Sequence, residues 1–274
     1  MRFPGAKRWL LLGVVLAILG SYLAPQLNRY YLGVVIDVGI AIILATSLNL
    51  INGHTGQFSL GHAGFMAVGG FFSAWISLQS GDTVNAFWYF PAALVAGGLL
   101  AAAVGLLVGV PSLRLRGDYL AITTLGFGEI IRVFLNNLDR PINLTNGPKG
   151  INQIDGITFF GLKLSRPIEV FGFEIASVSL YYYLFLALVI ASVVICHRLE
   201  QSRIGRAWMA VREDEIAAKA MGINTRNLKL LAFGMGATFG GISGAMFAAF
   251  QGFVSPESFS LMESVMIVAM VVLG

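Results

Sequence analysis

Residues 197–229 read HRLEQSRIGRAWMAVREDEIAAKAMGINTRNLK, a polar segment between two long apolar runs. Seven of these residues are Lys or Arg. Because Lys and Arg accumulate in the cytoplasmic loops of membrane proteins, the segment predicts a cytoplasmic loop between two membrane spans. The whole chain agrees, with 57% apolar residues, 12% charged residues and a mean hydropathy of +0.78. We therefore expect an all-α polytopic membrane protein, a single helical bundle over residues 1–274.

The apolar runs on either side of this loop belong to a longer series of candidate spans. A hydrocarbon core about 30 Å thick needs roughly 20 apolar residues per helix. The candidate runs are Trp9–Ala24, Leu32–Ile51, Phe58–Leu78, Phe87–Val110, Tyr119–Leu135, Leu180–Cys196, Leu228–Phe250 and Phe259–Gly274. With the N-terminus in the cytoplasm, twelve Lys and Arg lie in cytoplasmic loops and five outside. This asymmetry predicts about eight spans in that orientation.

The first run also has the length of a signal-peptide core, but Ser21–Pro25 lacks the small-residue cleavage pattern. Several other classes of protein are excluded because the residues they require are missing or too far apart in the sequence. Cys196 is the single cysteine, and His54 and His62 share a metal only if the turn between them brings them together. The sequence has no phosphate-binding GxxxxGK[ST] motif and no hydrolase motif within a span, so we predict no catalytic residues, no metal and no cofactor of its own. The cations cluster between apolar runs, which argues against nucleic-acid binding despite the net charge of +4.

The long segment 136–179 should lie outside, on the periplasmic side. It is rich in Asn, Pro and Gly, and the alternation in 157–164 and 169–175 predicts short strands or a small hairpin. Loops of this length are either functional or disordered, and pattern alone favours neither.

Small residues recur at helical spacing in three of the spans. The most regular positions include Gly97 and Gly105 in the fourth span and Gly236, Gly240 and Gly244 in the seventh. Apolar helices gain nothing from hydrophobic burial against one another in lipid, so they associate where small residues let backbones approach. We expect these glycines to form helix-packing faces, mostly within the chain.

Glycines and polar side chains also surround the start of the third span. The candidate pathway residues there are Asn52, His54, Gln57 and Ser59. Irregular backbone within a membrane is tolerated where it lines a protein cavity, although a plain cytoplasmic turn explains the pattern too. Four charges within spans, at Asp37, Glu129, Arg132 and Glu263, lie toward the outer ends and fit either a pathway mouth or interface anchoring.

Within the cytoplasmic loop, Arg212–Met221 has the pattern of a short helix. Glu215 and Lys219 are four residues apart with the acid first, which is the favourable order. An apolar face is formed by Ile216, Ala217, Ala220 and Met221. Gly222 is suited to end the helix in a left-handed conformation. Such a helix either docks into a groove of a soluble partner or lies on the surface without one.

Ala217-Ala218 followed three residues later by Gly222 resembles the loop through which permeases of ATP-binding-cassette importers engage their ATPases. More narrowly, REDEIAAKAMGIN is similar to permeases of branched-chain amino acid importers of the LivM type. The likeness extends to GQFSLGHAGFMAVGG (56–70), LRLRGDYLAITTLGFGEIIR (113–132) and GFVSPESFSLMESVMIVAMVVLG (252–274). It departs in Thr145-Asn146-Gly147-Pro148, where we expect a second Gly in place of Asn146.

This resemblance implies a function and a set of partners. It implies a multi-pass permease of the bacterial inner membrane that moves branched-chain amino acids, with urea or short amides as the alternative substrate. An ion-coupled secondary carrier, which needs no ATPase, is the alternative of a different class. The implied partners are a second permease, two ATPase subunits that hold the ATP, and a periplasmic binding protein that contacts 136–179. The implied ATPase-coupling residues within the loop 197–229 are Arg212, Glu213, Glu215, Ala217, Ala218 and Gly222. The family continues past the position of Gly274, so we expect a truncated chain.

Overall fold

The computed structural model describes residues 29–80, 86–113, 115, 117–139, 143–152, 154, 157–159, 162–163, 168–170, 173–175 and 177–273. The predicted first span, Trp9–Ala24, lies outside this part of the chain. The helices are α1 (Arg29–Asn49), α2 (His62–Ser80), α3 (Ala86–Ser112), α4 (Asp118–Asn136), α5 (Ser177–Gln201), α6 (Arg203–Glu213), α7 (Glu215–Ala220), α8 (Thr225–Gln251) and α9 (Leu261–Leu273). A π-helical turn, Leu50–His54, continues α1.

The other seven predicted spans all coincide with helices, and the protein is an all-α polytopic membrane protein. Among the described residues, five helices are long and apolar enough to cross a membrane: α1, α3, α5, α8 and α9 with its preceding turn. The apolar part of α2 is shorter, His62–Leu78. Helix α4 carries Asp118, Glu129 and Arg132 and is not in this group. The count of eight spans therefore stays a prediction.

Helices α2, α3 and α8 form the centre of the bundle, and their small residues face one another. A Cβ at Gly105 would lie 2.5 Å from that of Ala237, and one at Gly97 would lie 3.1 Å from the Gly69 carbonyl oxygen. A methyl group at Gly244 would overlap the carbonyl of Met66. The repeats of glycine and alanine thus allow backbone to touch backbone, which gives apolar helices their packing energy in lipid.

The remaining spans surround this centre. Helix α1 packs between α5 and α8, and α4 packs on α2. A Cβ at Gly236 would lie 2.7 Å from Ile51 Cδ1, and one at Gly240 would lie 3.3 Å from His62 Nε2. All five glycines that the sequence singled out for helix packing lie close to other parts of the chain.

Short strands lie between α4 and α5. Hairpins pair β2 (Thr158–Phe159) with β3 (Leu162–Lys163), and β4 (Ile168–Val170) with β5 (Phe173–Ile175), so the predicted strand character is confirmed. A further pairing joins β1 (Ile151–Asn152) to β6 (Phe253–Val254), just after α8. Helix α8 has 27 residues, so it spans about 40 Å and separates this end of the bundle from the loop that contains α6 and α7.

Candidate functional site

Helix α6 fixes the cation-rich loop to the membrane bundle. Ser202 caps its first turn by accepting a hydrogen bond from the Gly205 amide at 3.2 Å. Gly205, Trp208 and Val211 recur every three residues and are buried. The Trp208 indole is fully buried, and its Nε1 donates to the Leu228 carbonyl on α8 at 2.8 Å. The helix is thus a rigid base for the segment that follows.

The predicted single helix Arg212–Met221 is wrong, because the chain breaks at Asp214. This residue is extended, with φ −153° and ψ 110°, and its carboxylate accepts hydrogen bonds from the Ile216 and Ala217 amides. A side chain that accepts from these orphan amides begins a new helix. Arg212 and Glu213 therefore end α6, and the shorter helix α7 begins at Glu215.

Gly222 ends α7 as predicted. Its φ is +81°, in the left-handed region. The Gly222 amide donates to the Lys219 carbonyl and the Ile223 amide donates to the Ala218 carbonyl, each at 3.0 Å. These two bonds form a Schellman motif, which satisfies the carbonyls at the end of the helix.

The apolar face of α7 points away from the rest of the molecule. Ile216 is 73% exposed and Met221 is 83% exposed, and Ala217 and Ala220 are exposed with them. Ala218 is 4% exposed and lies on the opposite, inner face. Of the predicted Ala217-Ala218 pair, only Ala217 is therefore available to a partner. Large apolar side chains that project from a charged loop are typical of a protein-docking surface.

Glu215 ties α7 to the first turn of α8. Its carboxylate contacts the Lys229 Nζ at 2.8 Å and the Lys219 Nζ at 2.9 Å. The Thr225 hydroxyl donates to the same carboxylate at 3.3 Å. The hydrogen bond from Lys229, with that from Lys219, outweighs partial burial and lowers the pKa of Glu215 to about 2. The predicted pair with Lys219 is thus present, and the stronger anchor to Lys229 is a contact that helical spacing does not reveal.

The two residues that precede Asp214 have different surroundings. The Arg212 Nη1 donates to the Gly53 carbonyl in the π-helical turn, at 2.5 Å. Glu213 is exposed and takes part in no ion pair among the residues that the structure describes. Both side chains are exposed, but Arg212 contacts the turn before α2, whereas Glu213 extends into solvent.

The predicted pathway residues lie around the turn that joins α1 to α2. Asn52 Oδ1 accepts from the Ser59 amide at 3.1 Å, and the Thr55 hydroxyl donates to Gln57 Oε1 at 3.2 Å. Gln57 and Ser59 are buried, and His54 is partly exposed. The structure thus pairs Asn52 with Ser59 and places Gln57 beside Thr55.

His62 is a polar residue of this region that sequence reasoning considered only as a metal partner of His54. It is fully buried, and its Nε2 lies 2.6 Å from the Ser47 hydroxyl on α1. The Ser47 hydroxyl also lies within hydrogen-bond distance of the Leu44 carbonyl, at 2.7 Å. The sequence feature that could have indicated this role of His62 is a histidine among small residues at the start of an apolar run.

At the other end of the bundle, the Glu129–Arg132 pair has formed as predicted, with Nε and Oε2 2.9 Å apart. Arg132 also lies 3.6 Å from Glu257 in the turn before α9. Asp37 and Glu263 are exposed. Arg132 therefore bridges α4 to the turn before α9. Asp37 and Glu263 take part in no ion pair among the described residues.

Residues 30–274 match the model of a family described as branched-chain amino acid transport system / permease component. The chain belongs to this family. The match covers nearly all of α1 and every element after it, including the loop 197–229 and the strands. No solved structure matches the chain.

Three relatives show how far this similarity extends. The chain is 45% identical over 248 residues to the high-affinity branched-chain amino acid transport system permease protein LivM of Escherichia coli, and 44% identical to that of Salmonella typhimurium. These matches cover 86% of the chain and 56% of each relative, so the chain spans little more than half of their length. A probable branched-chain amino acid transport permease protein LivM of Methanocaldococcus jannaschii is 26% identical over 253 residues.

Family membership gives the exposed face of α7 a context. A permease component is a membrane-embedded subunit, and this one carries a folded helix on the loop with the most cations. That helix is capped at both ends and anchored by Glu215, yet its apolar side chains are exposed. It is therefore built to hold its shape while it presents those side chains.

Proposed function

We propose that the chain is the membrane-spanning permease subunit of an ATP-binding-cassette importer for branched-chain amino acids. The relatives that match it are named as permeases for these substrates. The single observation that carries the proposal is α7, a rigid helix with exposed Ile216 and Met221 on a cation-rich loop. Its size and apolar face suit the groove of a soluble partner.

The proposed complex contains a second permease subunit, two ATPase subunits and a periplasmic binding protein. The ATP belongs to the ATPase subunits. The chain lies in the bacterial inner membrane with its N-terminus in the cytoplasm, so α7 meets the ATPases and the strand-bearing segment 136–179 meets the binding protein. The cation distribution supports this orientation.

Transport follows from alternating access. Closure of the ATPases on ATP displaces α7, and the bundle changes from an outward-open to an inward-open state. The close packing of α2, α3 and α8 supports this mechanism, because helices whose backbones interlock move as one body. Glu215 supports it at the loop, since its contact with Lys229 carries the movement of α7 into α8.

The test is to replace Ala217 by Glu in the assembled complex. Ala217 is exposed on the docking face, and a buried unpaired carboxylate is costly. We expect the ATPases to be lost on copurification and leucine uptake to fall by about tenfold or more, while the protein still inserts into the membrane.

Asn227→Glu is the matched control, because Asn227 is exposed in the same loop region and the charge change is the same. This variant should keep both the ATPases and the uptake. Normal uptake by Ala217→Glu with its ATPases bound would show that α7 is not the energy-coupling contact. Uptake of urea or a short amide in place of leucine would show that branched-chain amino acids are not the substrate.

A further inference from the structure

Arg212 connects the coupling loop to the turn between α1 and α2, two parts of the chain that are 159 residues apart. Its guanidinium donates to the Gly53 carbonyl at 2.5 Å. Its side-chain stem lies against Gly56, where a Cβ would be 3.0 Å from Arg212 Cγ. Gly56 has a φ of +67°, so it forms the turn without a side chain that would push Arg212 away. The guanidinium and the aliphatic part of the Arg212 side chain thus contact two points of the same turn, Gly53 and Gly56.

Arg212 is also close to α7 along the chain. It lies in the last turn of α6, and only Glu213 and Asp214 separate it from α7. The Asp214 amide donates to the Ala210 carbonyl at 3.2 Å, which keeps this link short and ordered. A displacement of α7 therefore reaches the Arg212 side chain before it reaches any membrane helix other than α8.

The turn that Arg212 contacts is held by hydrogen bonds within itself and to the residues just before α2. The helix widens into the π-helical turn Leu50–His54, and the Gln57 amide returns to the Ile51 carbonyl at 3.2 Å. Asn52 Oδ1 binds the Ser59 amide. Such π-helical turns are rare and are found frequently at functional sites.

The polar groups beside this turn are incompletely paired. Asn52 Nδ2, Ser59 Oγ and His62 Nδ1 are buried and have no hydrogen-bond partner among the described residues. Asn52 Nδ2 is a donor and the Ser59 hydroxyl can both donate and accept, so a rearrangement of the turn can give these groups hydrogen-bond partners. A conformation with unpaired buried groups is one that a modest force can displace.

We propose that Arg212 is a positioning residue that transmits the movement of α7 to the α1–α2 turn, and that this turn is the cytoplasmic gate of the pathway. The proposal rests on the proposed importer function. Arg212 then acts on the permease itself and not on the ATPase surface, which separates its role from that of Ala217. The Gly53 carbonyl and Gly56 are the points at which it acts.

The test uses the complete complex in proteoliposomes with the ATPase subunits and the binding protein. For Arg212→Ala we expect the ATPases to copurify and hydrolyse ATP, while leucine uptake per ATP falls by about tenfold. Arg212→Lys should restore most of the uptake, because the structure shows a single donated bond to Gly53 and lysine retains one donor. A residue needed only for folding would change protein yield without changing the ratio of uptake to hydrolysis.

Arg206→Ala is the matched control. Arg206 lies in the same helix and also donates to a carbonyl, that of Gln201 at 3.2 Å, but this bond stays within the adjoining helix end. Its loss should leave uptake per ATP unchanged. If Arg212→Ala does not assemble, Arg212→Gln decides the question, since its shorter side chain keeps a donor but not the reach to Gly53.

Two results would overturn this role of Arg212. One is a normal ratio of uptake to hydrolysis in the assembled variant. The other is loss of the ATPases on copurification, as expected for Ala217→Glu, which would make Arg212 a docking residue. Failure of the proposed function has a different signature, because the wild-type complex would then take up no leucine.

Discussion

Glu215 is the residue whose electrostatics are most strongly tied to the shape of the loop 197–229. Its carboxylate bonds to Lys229 and Lys219 keep its pKa near 2, against an ordinary value of 4.5. A carboxyl whose pKa is lower in the folded state stabilises that state above its unfolded pKa. The contribution is therefore complete at neutral pH, and it is lost as the pH falls from about 4.5 toward 2.

We predict that Glu215→Gln destabilises the docking of α7 on α8 by roughly 1–2 kcal/mol at pH 7. Hydrogen exchange of the α7 amides measures this effect. The difference from the wild type should shrink as the pH falls from about 4.5 toward 2, because the carboxyl released from its lysine contacts takes up a proton below 4.5, which favours the released state of the wild type.

Glu213→Gln is the control for Glu215→Gln, since Glu213 is exposed and has no ion pair among the described residues. It should leave the exchange of α7 unchanged at every pH. Equal effects of the two variants would show that net loop charge, and not the contact with Lys229, stabilises α7.

At the scale of the elements, the contact between α2 and α8 has no room for even one methyl group. A Cβ at Gly244 would overlap the Met66 carbonyl and come within 2.9 Å of the Gly70 amide nitrogen. Backbone atoms cannot turn aside as a flexible side chain can, so the two helices would have to separate. We expect Gly244→Ala to lower stability by about 3 kcal/mol or more, as seen in the thermal unfolding of the detergent-solubilised protein.

Gly126→Ala provides the comparison for this substitution. Gly126 lies on α4, and a Cβ there would meet no atom within 4 Å. Alanine is also the better helix former, so this variant should match or slightly exceed the wild type in stability. Similar unfolding temperatures for both variants would mean that the α2–α8 contact is looser than described here.

At the scale of the whole molecule, we predict which loops lie on each side of the membrane. Cys196 is the single cysteine and is buried, so it should not react with a membrane-impermeant thiol reagent. In whole cells, a cysteine replacing the exposed Lys149 should react, whereas one replacing the exposed Arg206 should react only after the membrane is opened. Labelling of both positions from the same side would contradict the proposed topology.

The sequence alone predicted those features that depend on residues near one another in the chain. The spans follow from runs of apolar residues, and the end of α7 follows from Gly222, since a left-handed residue is a local requirement. The candidate packing glycines were chosen because spacings of four and eight residues keep them on one face of a helix. The break at Asp214 was missed, since its acidic neighbours fit a continuous helix equally well.

Only the tertiary structure decided which distant residues meet. The contact of Arg212 with Gly53, the bond between His62 and Ser47, and the pairing of β1 with β6 join segments that no repeat connects. The inward position of Ala218 is of the same kind, because a six-residue helix with three alanines has no pattern strong enough to fix its buried face. Local chemistry thus determined the membrane helices and their packing faces. Their mutual arrangement determined the candidate gate, since that depends on backbone groups brought together by folding.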